Sequence, residues 1–281
     1  MKEITLQEMM EVGLHFGHQT KRWNPKMRKY IFGSRNGIYI IDLQKTQRLF
    51  KKALDFVKKV SASGGNVLFV GSKVQGKPII IEQANACGMP YVAERWLGGM
   101  LTNFETVKKS VSRLNQLQEM RDDGSFKILA KKESMRLQKE MMKLERNLGG
   151  IQYMNSLPSA VFIIDTRKER IALSEANKLG LPVIGLVDTN CDPDGIDYII
   201  PGNDDANRAI QYVTGALTEA IMEGKKEHEM KAKALAEERA RMAEKVIQEE
   251  KPSAPAVVSK PIEEASVTAK EAQPEAESQG S

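Results

Sequence analysis

The stretch Val67-Leu68-Phe69-Val70, followed by Gly71-Ser72-Lys73-Val74-Gln75-Gly76-Lys77-Pro78, decides the fold. Its first four residues are apolar without alternation, which is typical of a strand buried on both faces. The loop leads to Pro78, which suits the first turn of a helix. A second strand followed by a helix is predicted over residues 161–179, and further strands are predicted at 183–187 and 198–200. Strands that alternate with helices predict right-handed crossovers and a parallel sheet covered on both faces.

Two consecutive segments fall outside this rhythm. Residues 103–121 and about 131–148 are predicted as helices with no strand between them, and their apolar residues recur at spacings of three and four. The pairs Gly98-Gly99 and Gly149-Gly150 bracket them as hinge-like boundaries. We therefore predict an inserted antiparallel coiled-coil hairpin.

The domain organisation follows from this pattern. A discontinuous α/β domain is expected over residues 1–101 and 151–224, with the hairpin in 102–150. Residues 225–281 form a tail whose first part is a Lys/Glu/Ala-rich helix. From Pro252 the tail is rich in Pro, Ala, Ser and Glu, which predicts disorder.

The N-terminal part contains shorter elements. Thr5 with Glu8 three residues later is a capping-box pattern at the start of a helix. A β-hairpin is expected over residues 31–41, because Asn36-Gly37 is the strongest two-residue turn signal. Asp42 then begins a helix to about residue 62, and Asp204 or Asp205 is expected to begin the last long helix.

A basic, aromatic and amide-rich segment covers residues 15–30. It has no helical or strand period and is interrupted by Gly17 and Pro25, so it is predicted to be irregular. Lys and Arg bind phosphate oxygens, and aromatic rings stack on unpaired bases, so the segment is typical of an RNA-facing surface. For Trp23, burial as an anchor of the segment is favoured over stacking on RNA.

The charge distribution supports a polyanionic partner. The net charge is +5. Residues 1–60 carry thirteen Lys/Arg and five Asp/Glu, whereas residues 61–225 carry twenty of each and residues 226–281 carry nine and twelve. The positive excess therefore lies around the basic segment, and clustered positive charge favours phosphate partners through counterion release.

Composition limits the class of protein. Hydrophobic residues are 41% of the chain, and no apolar run approaches the ~20 residues of a membrane span. No apolar signal region follows the first residues, so we expect a cytoplasmic protein. The two cysteines, Cys87 and Cys191, lie far apart, which indicates buried thiols rather than a disulfide framework.

One motif resembles a phosphate-binding loop. Gly71-x-x-x-x-Gly76-Lys77 lies between a strand and a helix, and Asp165 ends a later strand as a magnesium-binding acidic residue would. Pro78, however, stands where the motif needs a Ser or Thr hydroxyl for the metal. A nucleotide-binding protein that uses Lys77 and Asp165 is thus the less favoured alternative to an RNA-binding protein.

Metal and catalytic sites have little support. Residues 188–195 resemble a calcium loop, but Pro193 replaces its glycine and Ile199 its final glutamate, so the calcium site is rejected. A hydrated Mg²⁺ at RNA stays open for this loop. His15 and His18 alone are too few ligands for zinc, and no nucleophile–histidine relay can be assembled. We expect no enzyme activity and no cofactor.

A second loop combines charge with an aromatic ring. Arg95-Trp96-Leu97-Gly98-Gly99-Met100-Leu101-Thr102-Asn103 leads directly into the predicted hairpin. A structural hinge and a direct RNA contact are equally compatible with this pattern.

Several long motifs resemble one family. They are Gly17-His18-Gln19-Thr20 with Arg22-Trp23-Asn24-Pro25, the stretch from Arg95 to Asn103, the stretch from Asp188 to Gly195, and Ile200-Pro201-Gly202-Asn203-Asp204-Asp205-Ala206. In this order they resemble bacterial small-subunit ribosomal protein number two, over residues 1 to about 225. The resemblance explains the loops at 71–77 and 188–195 as family structure.

The resemblance implies a flavodoxin-like doubly wound domain with an inserted helical hairpin and no catalysis. It implies a seat between head and body of the small subunit, contact with small-subunit rRNA and other ribosomal proteins, and help in recruiting the multi-OB-fold protein number one. No membrane and no small-molecule substrate are implied. Charge and motif position together make nine residues the RNA-binding candidates: Lys21, Arg22, Trp23, Asn24, Lys26, Arg28, Arg35, Arg95 and Trp96.

Overall fold

The N-terminal helix begins as the sequence predicts. The structure, a computed structural model, describes residues 4–249, with the side chains described up to residue 239. Helix α1 spans Leu6–Glu11, and the Thr5 hydroxyl oxygen accepts a hydrogen bond from the Glu8 backbone N–H at 3.2 Å. None of the described helices is both long and apolar enough to cross a membrane.

A small antiparallel sheet follows. Its strands are β1 (Phe16–Gln19), β2 (Ile31–Arg35) and β3 (Ile38–Ile41), in the order β1-β3-β2. The predicted hairpin is confirmed: Asn36 and Gly37 both have positive φ, 51° and 75°, as a type I′ turn requires.

The prediction of an irregular segment over residues 15–30 is wrong in part. Phe16–Gln19 is strand β1, and two 3₁₀ turns, Thr20–Arg22 and Pro25–Tyr30, follow it. Its four residues do not alternate between apolar and polar, and its pairing with β3 contains an irregularity. Its Gly17 is needed for packing, since a Cβ there would lie 2.6 Å from the Thr189 methyl carbon.

The main sheet has five parallel strands in the order β5-β4-β6-β7-β8. Counted along the chain this order is 2-1-3-4-5, which is the flavodoxin-like arrangement, so the predicted doubly wound α/β fold is confirmed. The elements are α2 (Leu43–Ala62), β4 (Val67–Val70), α3 (Lys77–Cys87), β5 (Tyr91–Val92), β6 (Ala160–Ile164), α6 (Arg170–Lys178), β7 (Val183–Val187), β8 (Tyr198–Pro201) and α7 (Asn207–Glu249).

The two faces of this sheet bury separate cores. Phe69 and Phe162 face helices α2, α3 and α7, where they meet residues such as Phe50 and Ile210. Neighbouring strand residues, Leu68 for example, face the opposite way, toward α6 and the loop around Trp96. Burial on both faces explains the unalternated apolar strands.

Two helices form the predicted insertion. Helix α4 spans Phe104–Asp122 and α5 spans Lys131–Leu148, with a short 3₁₀ turn at Ser125–Lys127 between them. Phe104 and Leu148, at the ends nearest the sheet, belong to the core on its α6 side. A separate cluster of Leu114, Leu117, Phe126 and Met141 lies between the helices. The coiled-coil geometry and the proposed domain limits stay predictions.

The last helix starts two or three residues later than predicted, at Asn207 rather than Asp204 or Asp205. The Asn203 side-chain oxygen accepts hydrogen bonds from the backbone N–H groups of Asp205 and Ala206, at 2.8 and 3.0 Å, so this turn precedes α7. Helix α7 runs through residue 225, where the tail is predicted to begin, and this boundary stays a prediction. The disorder predicted from Pro252 lies outside the described residues.

Candidate nucleic-acid interface

The segment Thr20–Tyr30 is held against the sheet edge at a few points. The Asn24 backbone N–H donates to the Thr189 carbonyl at 2.8 Å, and the Asn24 side-chain oxygen accepts from the Lys26 backbone N–H at 3.0 Å. Met27 is fully buried beneath the segment. Asn24, an RNA candidate, is half-buried and caps the 3₁₀ turn that begins at Pro25.

Most of the charged candidates stand free at the surface. Lys21, Arg22, Arg28 and Arg35 are exposed, and among the residues described here none of them has an ion pair. We call these four side chains the basic surface. A neighbouring cation, Lys29, is also exposed and lies 5.1 Å from the centre of the Tyr30 ring.

Lys26 differs from the other candidates. Its ammonium group is 2.8 Å from a carboxylate oxygen of Asp192 and 2.5 Å from one of Asp194. The hydrogen bonds to Asp192 and then Asp194 raise the pKa of Lys26. Lys26 therefore offsets part of the negative charge of the loop after β7, and two oxygen ligands that a Mg²⁺ would need there already bind an ammonium. A Mg²⁺ in this loop stays a prediction.

The two tryptophans are placed differently. Trp23 is half-buried, with its ring 5.1 Å from that of Tyr39, so it is both an anchor and partly accessible. Trp96 is only 6% exposed, and its indole Nε1 donates to Glu175 at 3.0 Å. Trp96 thus lies in the core, which corrects its choice as an RNA-facing residue, whereas its neighbour Arg95 is exposed.

Glu175 on α6 organises the whole second loop. Its carboxylate also accepts hydrogen bonds from the backbone N–H groups of Gly99 at 2.7 Å, Leu101 at 3.0 Å and Thr102 at 3.1 Å, and from the Thr102 hydroxyl. Burial alone would raise the pKa of Glu175, but these bonds outweigh it and the pKa is lowered. These hydrogen bonds to Glu175 support the interpretation of the second loop as a structural hinge.

A cluster of charges lies at the carboxyl ends of the strands. His18 Nδ1 is 2.9 Å from Asp188, and its Nε2 is 3.3 Å from Asp205. The hydrogen bond to Asp188 is the largest effect that raises the pKa of His18. Lys73 lies 2.7 Å from Asp204 and 2.5 Å from Asp205. Burial would lower the pKa of Lys73, but the carboxylates, Asp204 first, raise it.

Asp204 is the most deeply buried member of this cluster. Burial, with repulsion from Asp188 and Asp165, raises its pKa to about 7. Its second carboxylate oxygen is buried and has no hydrogen-bond partner among the described residues. Ligand atoms of His18, Asp188, Asp204 and Asp205 all lie within 4.8 Å of one another, so a nitrogen and three carboxylates could hold a divalent cation.

Sequence reasoning missed this cluster for a clear reason. His18 and its carboxylate partners are far apart in the chain, and a pattern of nearby ligands cannot show them. A usable signal existed nonetheless: Asp188 directly follows β7, and Asp204 and Asp205 come shortly after β8. The carboxyl ends of neighbouring parallel strands meet at one edge of a sheet.

The structure does not bring Lys77 and Asp165 together as a phosphate-binding site. The Lys77 ammonium group pairs with Glu94, and Asp165 lies 3.5 Å from Lys73 instead. Gly71 is explained by packing, because a Cβ at this position would lie 2.4 Å from Ile80. The cations of this loop are thus already neutralised by protein carboxylates, and we find no support for nucleotide binding by Lys77 and Asp165.

Comparison with known proteins identifies the family. Residues 9–224 match the family model described as Ribosomal protein S2. The small ribosomal subunit protein uS2 of Geotalea uraniireducens (strain Rf4) is 58% identical over 224 residues, which cover 80% of this chain and 88% of that protein. These two matches define a ribosomal protein of the small subunit, a structural and not an enzymatic class. The chain belongs to the ribosomal protein S2 family, which confirms the resemblance seen in the motifs.

Proposed function

We propose that this protein binds small-subunit rRNA through the basic surface of Lys21, Arg22, Arg28 and Arg35. One observation carries the proposal: four exposed cations have no ion pair among the described residues, and they stand on fixed supports. Three of them belong to the segment that Met27 and Asn24 hold in place, and Arg35 ends strand β2 beside it in the chain. Unpaired cations on a rigid support can bind phosphates without first losing a protein partner.

The finer parts of the proposal rest on the family resemblance. They are a seat between head and body on cytoplasmic ribosomes, and help in recruiting the multi-OB-fold protein number one in support of translation. Membership of the family makes rRNA and other ribosomal proteins the partners of this chain.

The test replaces the basic surface as a unit. The variant carries Lys21→Gln, Arg22→Gln, Arg28→Gln and Arg35→Gln, and keeps Lys26 because it pairs with Asp192 and Asp194. Binding to protein-free small-subunit rRNA is measured between about 50 and 200 mM salt. Loss of four phosphate contacts should make the slope of log affinity against log salt less negative by about 3 to 4, and incorporation into small subunits should fall.

A control variant has the same change in charge. It carries Lys51→Gln, Lys52→Gln, Lys59→Gln and Lys178→Gln, all at exposed positions of α2 and α6. We call it the α2–α6 control, and we expect it to lose much less affinity. Equal losses in both variants would mean that only net charge matters and would contradict the assignment of the basic surface.

A further inference from the structure

Lys26 is an RNA candidate whose charge is already used within the protein. Its ammonium group lies 2.8 Å from a carboxylate oxygen of Asp192 and 2.5 Å from one of Asp194. The two aspartates stand 166 and 168 residues further along the chain, on the loop after β7. The contact is therefore a product of the tertiary structure and not of the local turn.

The three side chains of this contact remain open to solvent. Lys26 is 50% exposed, Asp192 49% and Asp194 70%. Ion pairs between groups as exposed as these contribute little to stability, because water screens the charges and long side chains lose freedom when they pair. An incoming anion can therefore compete for the Lys26 ammonium group without first opening the fold.

Other hydrogen bonds support the backbone on both sides of the ion pairs. In the segment, the Asn24 backbone N–H donates to the Thr189 carbonyl at 2.8 Å. In the loop, the Asp194 backbone N–H donates to a side-chain oxygen of Asp192 at 3.0 Å. Both pieces of backbone thus keep supporting contacts when the ion pairs of Lys26 are exchanged for others.

The contact lies next to the basic surface. Lys26 belongs to the same 3₁₀ turn as Arg28, which is exposed and has no ion pair within the described part of the chain. One ammonium and two carboxylates sum to a single negative charge. A negative charge at the edge of a positive surface repels phosphates there, so the loop acts against the neighbouring cations.

The two carboxylates occupy the ammonium group as phosphate oxygens would. A lysine ammonium has three N–H donors and no acceptor, and Asp192 and Asp194 each accept one hydrogen bond from Lys26. Carboxylate and phosphate oxygens are both anionic acceptors that form charge-assisted hydrogen bonds with such a group. The loop and an RNA backbone therefore compete for the same donors.

We propose that Asp192 and Asp194 form an autoinhibitory contact that withholds Lys26 from RNA phosphates. The proposal rests on the proposed function, because it takes the polyanion at the basic surface to be RNA. While the loop holds Lys26, this residue adds no phosphate contact of its own, and the two carboxylates weaken binding through the basic surface. Removing both carboxylates uncovers one further phosphate contact.

The test compares four variants of the full chain. The loop variant carries Asp192→Asn and Asp194→Asn, the lysine variant carries Lys26→Gln, and a triple variant combines the three changes. The net-charge control carries Glu82→Gln and Glu219→Gln, at exposed positions of α3 and α7, and changes the charge by as much as the loop variant does. Binding to protein-free small-subunit rRNA is measured between about 50 and 200 mM salt. Circular dichroism and thermal unfolding verify that each variant folds.

The expected result for the loop variant is a gain in RNA binding. It binds about three- to tenfold more tightly at about 100 mM salt, and its slope of log affinity against log salt is more negative by about 1. The net-charge control gains less and keeps its slope. Equal gains in the two variants would mean that only net charge matters, and they would overturn the proposal.

The salt slope also shows whether Lys26 is the group that the loop withholds. Lys26→Gln in the loop variant should make the slope less negative by about 1, because one phosphate contact is lost. The same substitution beside the unmodified loop should change the slope much less. Any other pattern, such as equal changes in both backgrounds, contradicts masking by Asp192 and Asp194.

Failure of the proposed function gives a different result. In that case the variant that replaces the basic surface binds rRNA as tightly as the unmodified protein. If the inference about the loop alone fails, that variant is still weakened, and the loop variant does not differ from the net-charge control.

Discussion

Glu175 on α6 fixes the loop that connects the sheet domain to the inserted hairpin. One buried carboxylate accepts hydrogen bonds from the Trp96 indole, three backbone N–H groups and a hydroxyl. None of these donors is a charged side chain, so these hydrogen bonds stabilise the negative charge through dipoles. Hydrogen bonds to a charged acceptor each contribute about 1.5–3 kcal/mol.

Replacing Glu175 by Gln should lower the free energy of unfolding by about 2–4 kcal/mol at pH 7, because an amide nitrogen would face N–H donors. The measurement is urea unfolding. Glu219→Gln, at an exposed position of α7, serves as the control and should change stability by less than about 0.5 kcal/mol. A fully stable Glu175→Gln protein would contradict the role given to this carboxylate.

The same residue predicts a pH dependence. The pKa of Glu175 is lowered from 4.5 in the folded protein, so its contribution is complete above the unfolded value and is lost as pH falls through the folded value. The stability gap between the unmodified protein and Glu175→Gln should therefore be constant near pH 7 and narrow below about pH 4.5. Unfolding series at several pH values test this, and a gap that widens in acid would refute it.

At the scale of elements, strand β1 shows where local patterns mislead. Its four residues lack alternation, so the sequence predicted irregular structure there. Its conformation is set by partners outside the segment: β3 beside it, and the Thr189 hydroxyl, which accepts from the His18 backbone N–H at 2.9 Å. Edge strands of this kind depend on pairing more than on propensity.

Helix α7 offers two glycines in matched positions. At Gly224 a Cβ would lie 2.4 Å from the Lys58 carbonyl oxygen of α2, whereas at Gly215 the nearest atom would be 4.0 Å away. Gly215→Ala should raise the free energy of unfolding by about 0.5–1 kcal/mol through helix propensity. Gly224→Ala should lower it by about 1–3 kcal/mol because the clash outweighs propensity.

Thermal unfolding of the two single variants measures this difference directly. Both variants carry the same Gly→Ala substitution. A difference in their stability therefore reports how closely α2 approaches each of the two positions. Two variants with equal melting temperatures would show that α7 does not pack on α2 as closely as the structure describes.

At the scale of the whole molecule, the hairpin is supported by two cores. Its base shares the core on the α6 side of the sheet, while Leu117 belongs to a cluster made only by the insertion. The outer part of the hairpin should therefore open without unfolding the sheet.

Leu117→Ala should remove about 2–5 kcal/mol from the hairpin cluster. Hydrogen exchange should then speed up in α4 and α5, with β4, β6 and β7 still protected. Leu68→Ala in the sheet is the comparison, because Leu68 is equally buried at 1% exposure and its loss should speed exchange throughout. Equal acceleration in the strands of the Leu117→Ala protein would show a single cooperative unit.

Much of this architecture was predictable from the sequence. An apolar strand without alternation, such as Val67–Val70, is typical of burial on both faces of a sheet. The pair Asn36-Gly37 strongly favours a two-residue hairpin turn. Long ordered motifs indicated the ribosomal family, because each is much more specific than a three-residue signature.

The tertiary structure alone decided which charged and aromatic residues are free to act. Trp23 and Trp96 both lie in basic loops, yet only Trp96 is buried in the core, where its indole N–H donates a hydrogen bond to Glu175. Lys26 pairs with Asp192 and Asp194, whereas Lys21 is exposed and has no ion pair within the described part of the chain. The physical reason is that burial and ion pairing depend on neighbours brought together by strand order and helix packing, whereas sequence periodicity reports only the local direction of each side chain.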